Sequence, residues 1–311
     1  MRTETRLVIV PTLVRNASNE LIQTLHASDF RIFDNGIEQS VSLEDSDRQP
    51  LAVVIVMQIG GAAARQFPAY AGLGTMIESI VGGSPHRVAL VTFDSEPDSV
   101  WDFRPEIDTL HHDLAHPDQG DSGAAIFDAV SYGIGLLRQQ PAGYRRILLL
   151  LSQPQDNGSK ASAADVVRSL GENNVTILSV TFSPEKTWLK DQFTKPRHEN
   201  PPYRLTPSEP PLLHTFDLST PLKIAIDALR SNAASEIAAQ SGGESVEFGD
   251  RQELERQLSQ FSNHLAARYM LSFRPRPGEP GFHTLRVAVP GQPGLDISAR
   301  RGYWSSSSAV K

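Results

Sequence analysis

From Leu51 to Met57 every residue is apolar, and Val and Ile dominate. A run of this length makes one strand, far short of a membrane span. A strand that is apolar on both faces must be covered on both, which places it in the middle of a parallel sheet. It ends at Gly60-Gly61, after which Phe67, Tyr70, Leu73, Ile77 and Ile80 fall on one helical face. The alternation then repeats. Arg87 to Phe93 predicts a second core strand and Ser99 to Phe103 a short third. Ile126, Val130, Ile134 and Leu137 mark an amphipathic helix, and the leucines of Arg146 to Ser152 a central strand. Ser162 with Asp165 reads as a capping box opening a helix that carries Val166, Val167 and Leu170. Val175 to Phe182 is the next strand. Helix resumes near Pro221 and runs to Gln240, Ser245 to Phe248 is an edge strand, and Asp250 caps a helix with Leu254, Leu258, Phe261 and Leu265 inward. Strands alternating with helices predict an α/β fold with a doubly wound, mostly parallel sheet.

The two ends follow a different rhythm. Leu7 to Val10 and Thr12 to Val14 are strand-like, with Pro11 suggesting an edge or a bulge. Asp29 to Asp34 and Ile37 to Val41 alternate on either side of Asn35-Gly36, the strongest short-range hairpin signal. Tyr269 to Phe273, His283 to Val289 and Leu295 to Ala299 are strands separated by Pro/Gly-rich turns. A three-stranded sheet from one end alone is marginal, so the ends are expected to pair with each other as a small β-rich domain. The expected division is 1–48 for the amino-terminal strands, 49–264 for the α/β domain and 265–311 for the carboxyl-terminal strands. Residues 183–219 hold Pro184, Pro196, Pro201, Pro202, Pro207, Pro210 and Pro211, which read as a surface insertion leaving the sheet at its binding end.

Composition narrows the chemistry. The chain has 311 residues, of which 39% are hydrophobic and 21% charged, an ordinary globular balance. A net charge of -7 gives no nucleic-acid footprint. The chain has no cysteine, which excludes disulfides, thiolate catalysis and zinc-thiolate sites. Met1 to Arg6 lacks the apolar region of a signal peptide.

The middle of the chain resembles a von Willebrand factor A (VWA) domain, and the whole resembles the bacterial VWFA-related family first described from acidobacterial proteins. LAVVIVMQIGG, SGAAIFDAV, RRILLLLSQPQDNGS and VTILSVTF carry the first likeness. LHASDFRIFDNGIEQ, AAQSGGES, ARYMLSFRP, FHTLRVAV and ISARRGYW carry the second. The resemblance implies adhesion or protein binding rather than catalysis, and an extracytoplasmic location. It also implies a divalent cation held by Asp-x-Ser-x-Ser after the first strand, a Thr before the third helix and an Asp after the fourth strand. On this chain those positions are Gln58, Gly60 and Ala62, then Ala124, then Gln153. Amides replace both carboxylates and every hydroxyl is gone, so this metal-ion-dependent adhesion site is expected to be dead. A shifted register would have to recruit Asp121, Ser122, Asp128 or Asp156. Of these, Asp128 is expected to face solvent or brace a loop, and Asp156 to be solvated.

Enzyme signals are weak. Gly120-Asp121-Ser122-Gly123 matches the nucleophile motif of chymotrypsin-like proteases, but that chemistry needs an oriented His on a double β-barrel. Ser183-Pro184-Glu185-Lys186 fits the S-x-x-K of β-lactamase-like enzymes, without the partner motifs downstream. His111, His112 and His116 include an i,i+4 pair that suits a transition metal if helical, and otherwise decorate a solvated face. No Walker loop, dinucleotide fingerprint or paired carboxylates appear, so no cofactor is expected. The expected function is a non-catalytic, protein-binding A-domain protein acting without a metal. The alternatives are a structural module of a surface or envelope assembly and, behind it, a hydrolase using Ser122.

Overall fold

A computed structural model describes residues 7–45, 49–82, 84–108, 110–182, 219–276 and 280–305. The insertion expected over 183–219 and the S-x-x-K motif within it lie outside the described residues, apart from the helix start at Ser219.

Among the described residues, fourteen strands form three sheets. The central sheet contains β5 (Leu51–Gln58), β6 (His86–Phe93), β7 (Pro97–Arg104), β8 (Arg145–Ser152), β9 (Val175–Phe182) and β10 (Glu244–Phe248), in the order β10-β9-β8-β5-β6-β7. Every neighbouring pair is parallel except β6 with the edge strand β7. This is the doubly wound order, with its reversal between β5 and β8. All of β5 is buried, as its unbroken apolar run requires.

The helices are α1 (Leu73–Val81), α2 (Leu110–Ala115), α3 (Ile126–Arg138), α4 (Ala163–Glu172), α5 (Ser219–Ser231), α6 (Ala233–Ser241) and α7 (Arg251–Ala266). α1, α2 and α7 cover one face of the sheet through Ile77, Leu110, Leu114, Leu258 and Phe261. α3 to α6 cover the other through Val130, Ile134, Val166, Leu229 and Ile237. Two predicted helices are broken in two. The stretch with Phe67 to Ile80 on one face is a 3-10 helix, Gly61–Tyr70, then α1. Pro68 lies within the first piece, and Gly72 takes a left-handed φ of 88° that an α-helix cannot continue through. The helix expected from Pro221 to Gln240 is interrupted at Asn232, whose side chain accepts from the Ser235 amide and starts α6.

The chain ends do pair with each other. β1 (Val8–Arg15) lies between β11 (Tyr269–Phe273) and β13 (Asp296–Ala299), with β4 (Ser42–Glu44) beyond β11. β12 (Gly281–Ala288) lies between β2 (Arg31–Asp34) and β14 (Gly302–Ser305), and β3 (Ile37–Gln39) completes that sheet. Asn35 (φ 47°) and Gly36 (φ 82°) form the predicted hairpin turn. Pro11 is neither at an edge nor in a bulge. Its carbonyl accepts from the Arg300 amide, so its polar side faces β13, and β13 begins pairing only at Thr12. Val10, Phe30, Ile32, Leu271, Phe273 and Tyr303 fill the core between the two terminal sheets.

Two side chains, buried Arg300 and half-buried Glu244, tie these sheets to the α/β domain. The Arg300 guanidinium donates to the carbonyls of Leu170 (2.9 Å), Gly171 (3.0 Å) and Asn173 (3.3 Å), capping the carboxyl end of α4. Glu244, at the start of β10, meets Arg15 of β1, His264 of α7 and Arg268 just beyond it.

Candidate functional site

In a doubly wound sheet the binding crevice opens where the strand order reverses, at the carboxyl ends of the strands. Here that is the space between the ends of β5 and β8, and two glutamines fill it. Gln58 is fully buried. Its Oε1 accepts from the Gln153 amide at 2.8 Å, and its Nε2 donates to Gln153 Oε1 at 3.2 Å and to the Gly60 carbonyl at 3.0 Å. Gln153, half-buried, donates through Nε2 to the Gln155 carbonyl at 2.9 Å. Both amide oxygens are engaged within the crest.

The surrounding loops lock onto one another. Gly61 donates to the Asp121 carbonyl at 2.7 Å, and Gly120 to the Ile59 carbonyl at 3.2 Å. Ala124 and Asn157 exchange backbone hydrogen bonds of 3.0 and 2.9 Å, joining the loop before α3 to the loop after β8. The carboxylates at the crest are directed at backbone amides. Asp94 Oδ2 accepts from Asp121 N at 3.0 Å, and Asp121 Oδ1 accepts from Ser95 N (3.1 Å) and Gly123 N (2.7 Å). Hydrogen bonds from the Ser95 side chain and the Gly123 amide hold the Asp121 carboxyl below the usual carboxylate range. Asp156 accepts from Phe127 N at 3.1 Å and Ser159 Oγ at 2.6 Å, so it caps α3 rather than standing solvated. The helix dipole accounts for that change, since an anion is stabilised at a helix amino terminus. Asp128 braces a loop, accepting from Lys160 N (2.8 Å) and Ala161 N (2.7 Å).

Of the five positions singled out from the sequence, Gln58 and Gln153 are in direct contact, and Gly60 lies under the Gln58 amide. Ala124 is buried beside Asn157, and Ala62 is half-buried in the 3-10 helix. A Cβ built on Gly60 would lie 2.4 Å from the Gly123 carbonyl oxygen and 2.6 Å from Asp94 Cβ. Gly60→Ser is therefore expected to destabilise the chain by about 1–3 kcal/mol in urea unfolding, the usual range for overpacking; an unchanged midpoint would show that the loops yield freely. Asp94 and Ser159 are crest residues that sequence reasoning passed over. The signal for Asp94 was its place directly after a core strand, where every following loop joins the crest.

No hydrogen bond among the described residues joins Ser122 to an imidazole. His112 and His116 stack with ring centroids 5.0 Å apart at the end of α2. Among the described residues, the one group of three His or acidic side chains spaced for a metal is Glu78, Asp108 and His111, away from the crest.

No family model and no curated protein matches the chain. Among solved structures it is similar to an aerotolerance-related membrane protein from Bacteroides fragilis NCTC 9343, at 13% identity and a TM-score of 0.43, over 68% of this chain and 98% of that one. It is similar to the PilB minor pilin from Streptococcus sanguinis at 11% identity and a TM-score of 0.47, over 72% of this chain and 63% of the pilin, less than two thirds of the latter. It is also similar to the vWF domain of the type V pili tip protein Mfa5 from Porphyromonas gingivalis, at 17% identity and a TM-score of 0.31, over 35% and 39% of the two chains. By its own topology the chain is a doubly wound α/β domain with its crest loops at the switch point and two antiparallel terminal sheets.

Proposed function

We propose that this chain is a non-catalytic protein-binding module, of the adhesion or assembly type, whose crest engages its partner without a metal bridge. The observation that carries the reading is the Gln58–Gln153 amide pair closing the switch-point crevice. Mg²⁺ needs near-octahedral oxygen ligands, and carboxylate charge offsets its reluctant dehydration. The amides are neutral and already paired, a serine at position 60 has no room, and the neighbouring carboxylates serve backbone amides. The donor set does not fit the ion. The same hydrogen bonds hold the crest loops in one arrangement, which lowers the ordering cost of docking. The contact surface in this reading is Gln58 to Ala62, Asp121 to Ala124 and Gln153 to Asn157. An extracytoplasmic location follows from the resemblance, and no helix of the described residues is long and apolar enough to cross a membrane.

A second reading, in which the terminal sheets make the contacts and the α/β domain is a spacer, is favoured by exposed apolar residues on their edge strands. Ile37 of β3 is 57% exposed and Leu43 of β4 41%. A photo-crosslinking amino acid placed at Ser122, Gln155, Ile37 or Leu43 separates the two in extract of the source cells. Adducts from Ser122 and Gln155, with equal yield in EDTA and in Mg²⁺, are expected. Adducts confined to Ile37 and Leu43 would establish the second reading, and a yield that needs Mg²⁺ would overturn metal independence. Turnover abolished by Ser122→Ala would replace both with a hydrolase.

A further inference from the structure

We propose that Glu78, Asp108 and His111 form a zinc site that staples α1 to the start of α2. Their ligand atoms all lie within 4.8 Å of one another, and His111 Nε2 is 3.0 Å from Glu78 Oε1. Zinc bonds of about 2.0–2.2 Å to nitrogen and oxygen put tetrahedral ligands roughly 3.4 Å apart. Small side-chain rotations close the cluster to that spacing. The Glu78 and His111 side chains are 41% and 37% exposed, so the stems can turn and a water can take the fourth position. One imidazole with two carboxylates is a donor set for zinc rather than for Mg²⁺ or Ca²⁺, which prefer oxygen alone.

Two features separate this cluster from a plain His–Glu ion pair. The first is Asp108. A second carboxylate converging on the same imidazole adds repulsion against Glu78, and a cation between them removes it. The second is Gly74, one turn before Glu78 in α1. A Cβ there would lie 2.0 Å from His111 Cδ2 and 2.7 Å from its Nε2, so the ring is seated where only glycine leaves room. Glycine inside a helix is costly relative to alanine, and here it gives the imidazole its place beside Glu78. The His112–His116 pair, which the spacing alone suggested, is not part of this arrangement: His116 Nδ1 faces the His112 carbonyl at 3.3 Å.

Zinc held by the folded state raises its melting temperature, by roughly 5 °C at a hundredfold excess over Kd. The test is titration of the full chain with zinc against a chromophoric chelator, alongside thermal melts with zinc and with Mg²⁺. One zinc per chain and a zinc-specific rise in Tm are expected. His111→Ala should weaken binding by more than the 10- to 100-fold typical of losing an outer-shell partner. Gly74→Ala keeps all three ligands but displaces the ring, and should weaken zinc binding while leaving the metal-free fold intact by circular dichroism. His112→Ala with His116→Ala should change nothing. Absence of zinc binding in the parent chain, full affinity in His111→Ala or in Gly74→Ala, or loss only in the His112/His116 double variant would each overturn the assignment.

Discussion

Glu244→Gln should cost about 3–5 kcal/mol of unfolding free energy, the effect of breaking a buried ion pair and leaving its partners uncompensated. Glu244 faces three basic groups at once. Arg268, fully buried, donates to its Oε2 at 2.7 Å; His264 Nδ1 is 3.0 Å from each oxygen; and Arg15 closes the group from β1. An amide keeps the shape but leaves two guanidinium groups facing each other without the anion between them. Burial alone would raise the Glu244 pKa, but the His264 hydrogen bond and the Arg268, His264 and Arg15 charges overcome it and hold the carboxyl at about 2, against an ordinary 4.5. A carboxyl depressed in this way contributes its full stability above about 4.5, and the contribution is lost as pH falls toward 2. The gap between parent and Glu244→Gln in urea unfolding should therefore be widest at neutral pH and shrink through that acid window. A gap below about 1 kcal/mol at pH 7, a surface-pair value, would show that Glu244 does not hold the terminal sheets to the α/β domain.

Removal of Arg300 is the second large effect. Beyond capping α4, its guanidinium donates to the carbonyls of Ile9 (3.0 Å) and Gly302 (2.9 Å) and to Asn174 Oδ1 (2.8 Å). Arg300→Ala strips donors from several buried acceptors, each worth about 1–3 kcal/mol when orphaned, so a total near 4 kcal/mol is expected. The loss should be local before it is global. Hydrogen exchange should quicken first in β1, β13 and the last turn of α4, while β5 and β8 stay protected. Arg300→Lys should recover only part of the loss, because one ammonium cannot reach carbonyls on both sides of a planar fork. Full recovery by lysine would mean that charge, not geometry, holds the terminal sheets in place.

The elements that could be read from the chain are those whose cause is local. Seven apolar residues in a row suffice to place β5 at the centre of a sheet, since no one-sided environment accepts them. Asn35-Gly36 makes its own turn, and Ser162 with Asp165 makes its own cap, because the partners lie within a few residues. The doubly wound class and the pairing of the ends followed from such pieces. The replacement of acids by amides at positions 58 and 153 was equally legible.

Tertiary contact decided the rest. Gln58 and Gln153 are 95 positions apart and meet only because β5 and β8 are neighbours in the sheet. Asp156 became a helix cap because α3 starts beside it, and Pro11 is tolerated inside a sheet because β13 begins pairing one residue later. The breaks at Gly72 and Asn232 escaped a reading of helical spacing because apolar periodicity records which side faces the core and not whether the backbone turns between two helices. Hydrophobic pattern and turn chemistry act over a few residues and are written into consecutive letters; a hydrogen bond between distant side chains depends on three-dimensional placement to within about 0.5 Å, which no local pattern encodes.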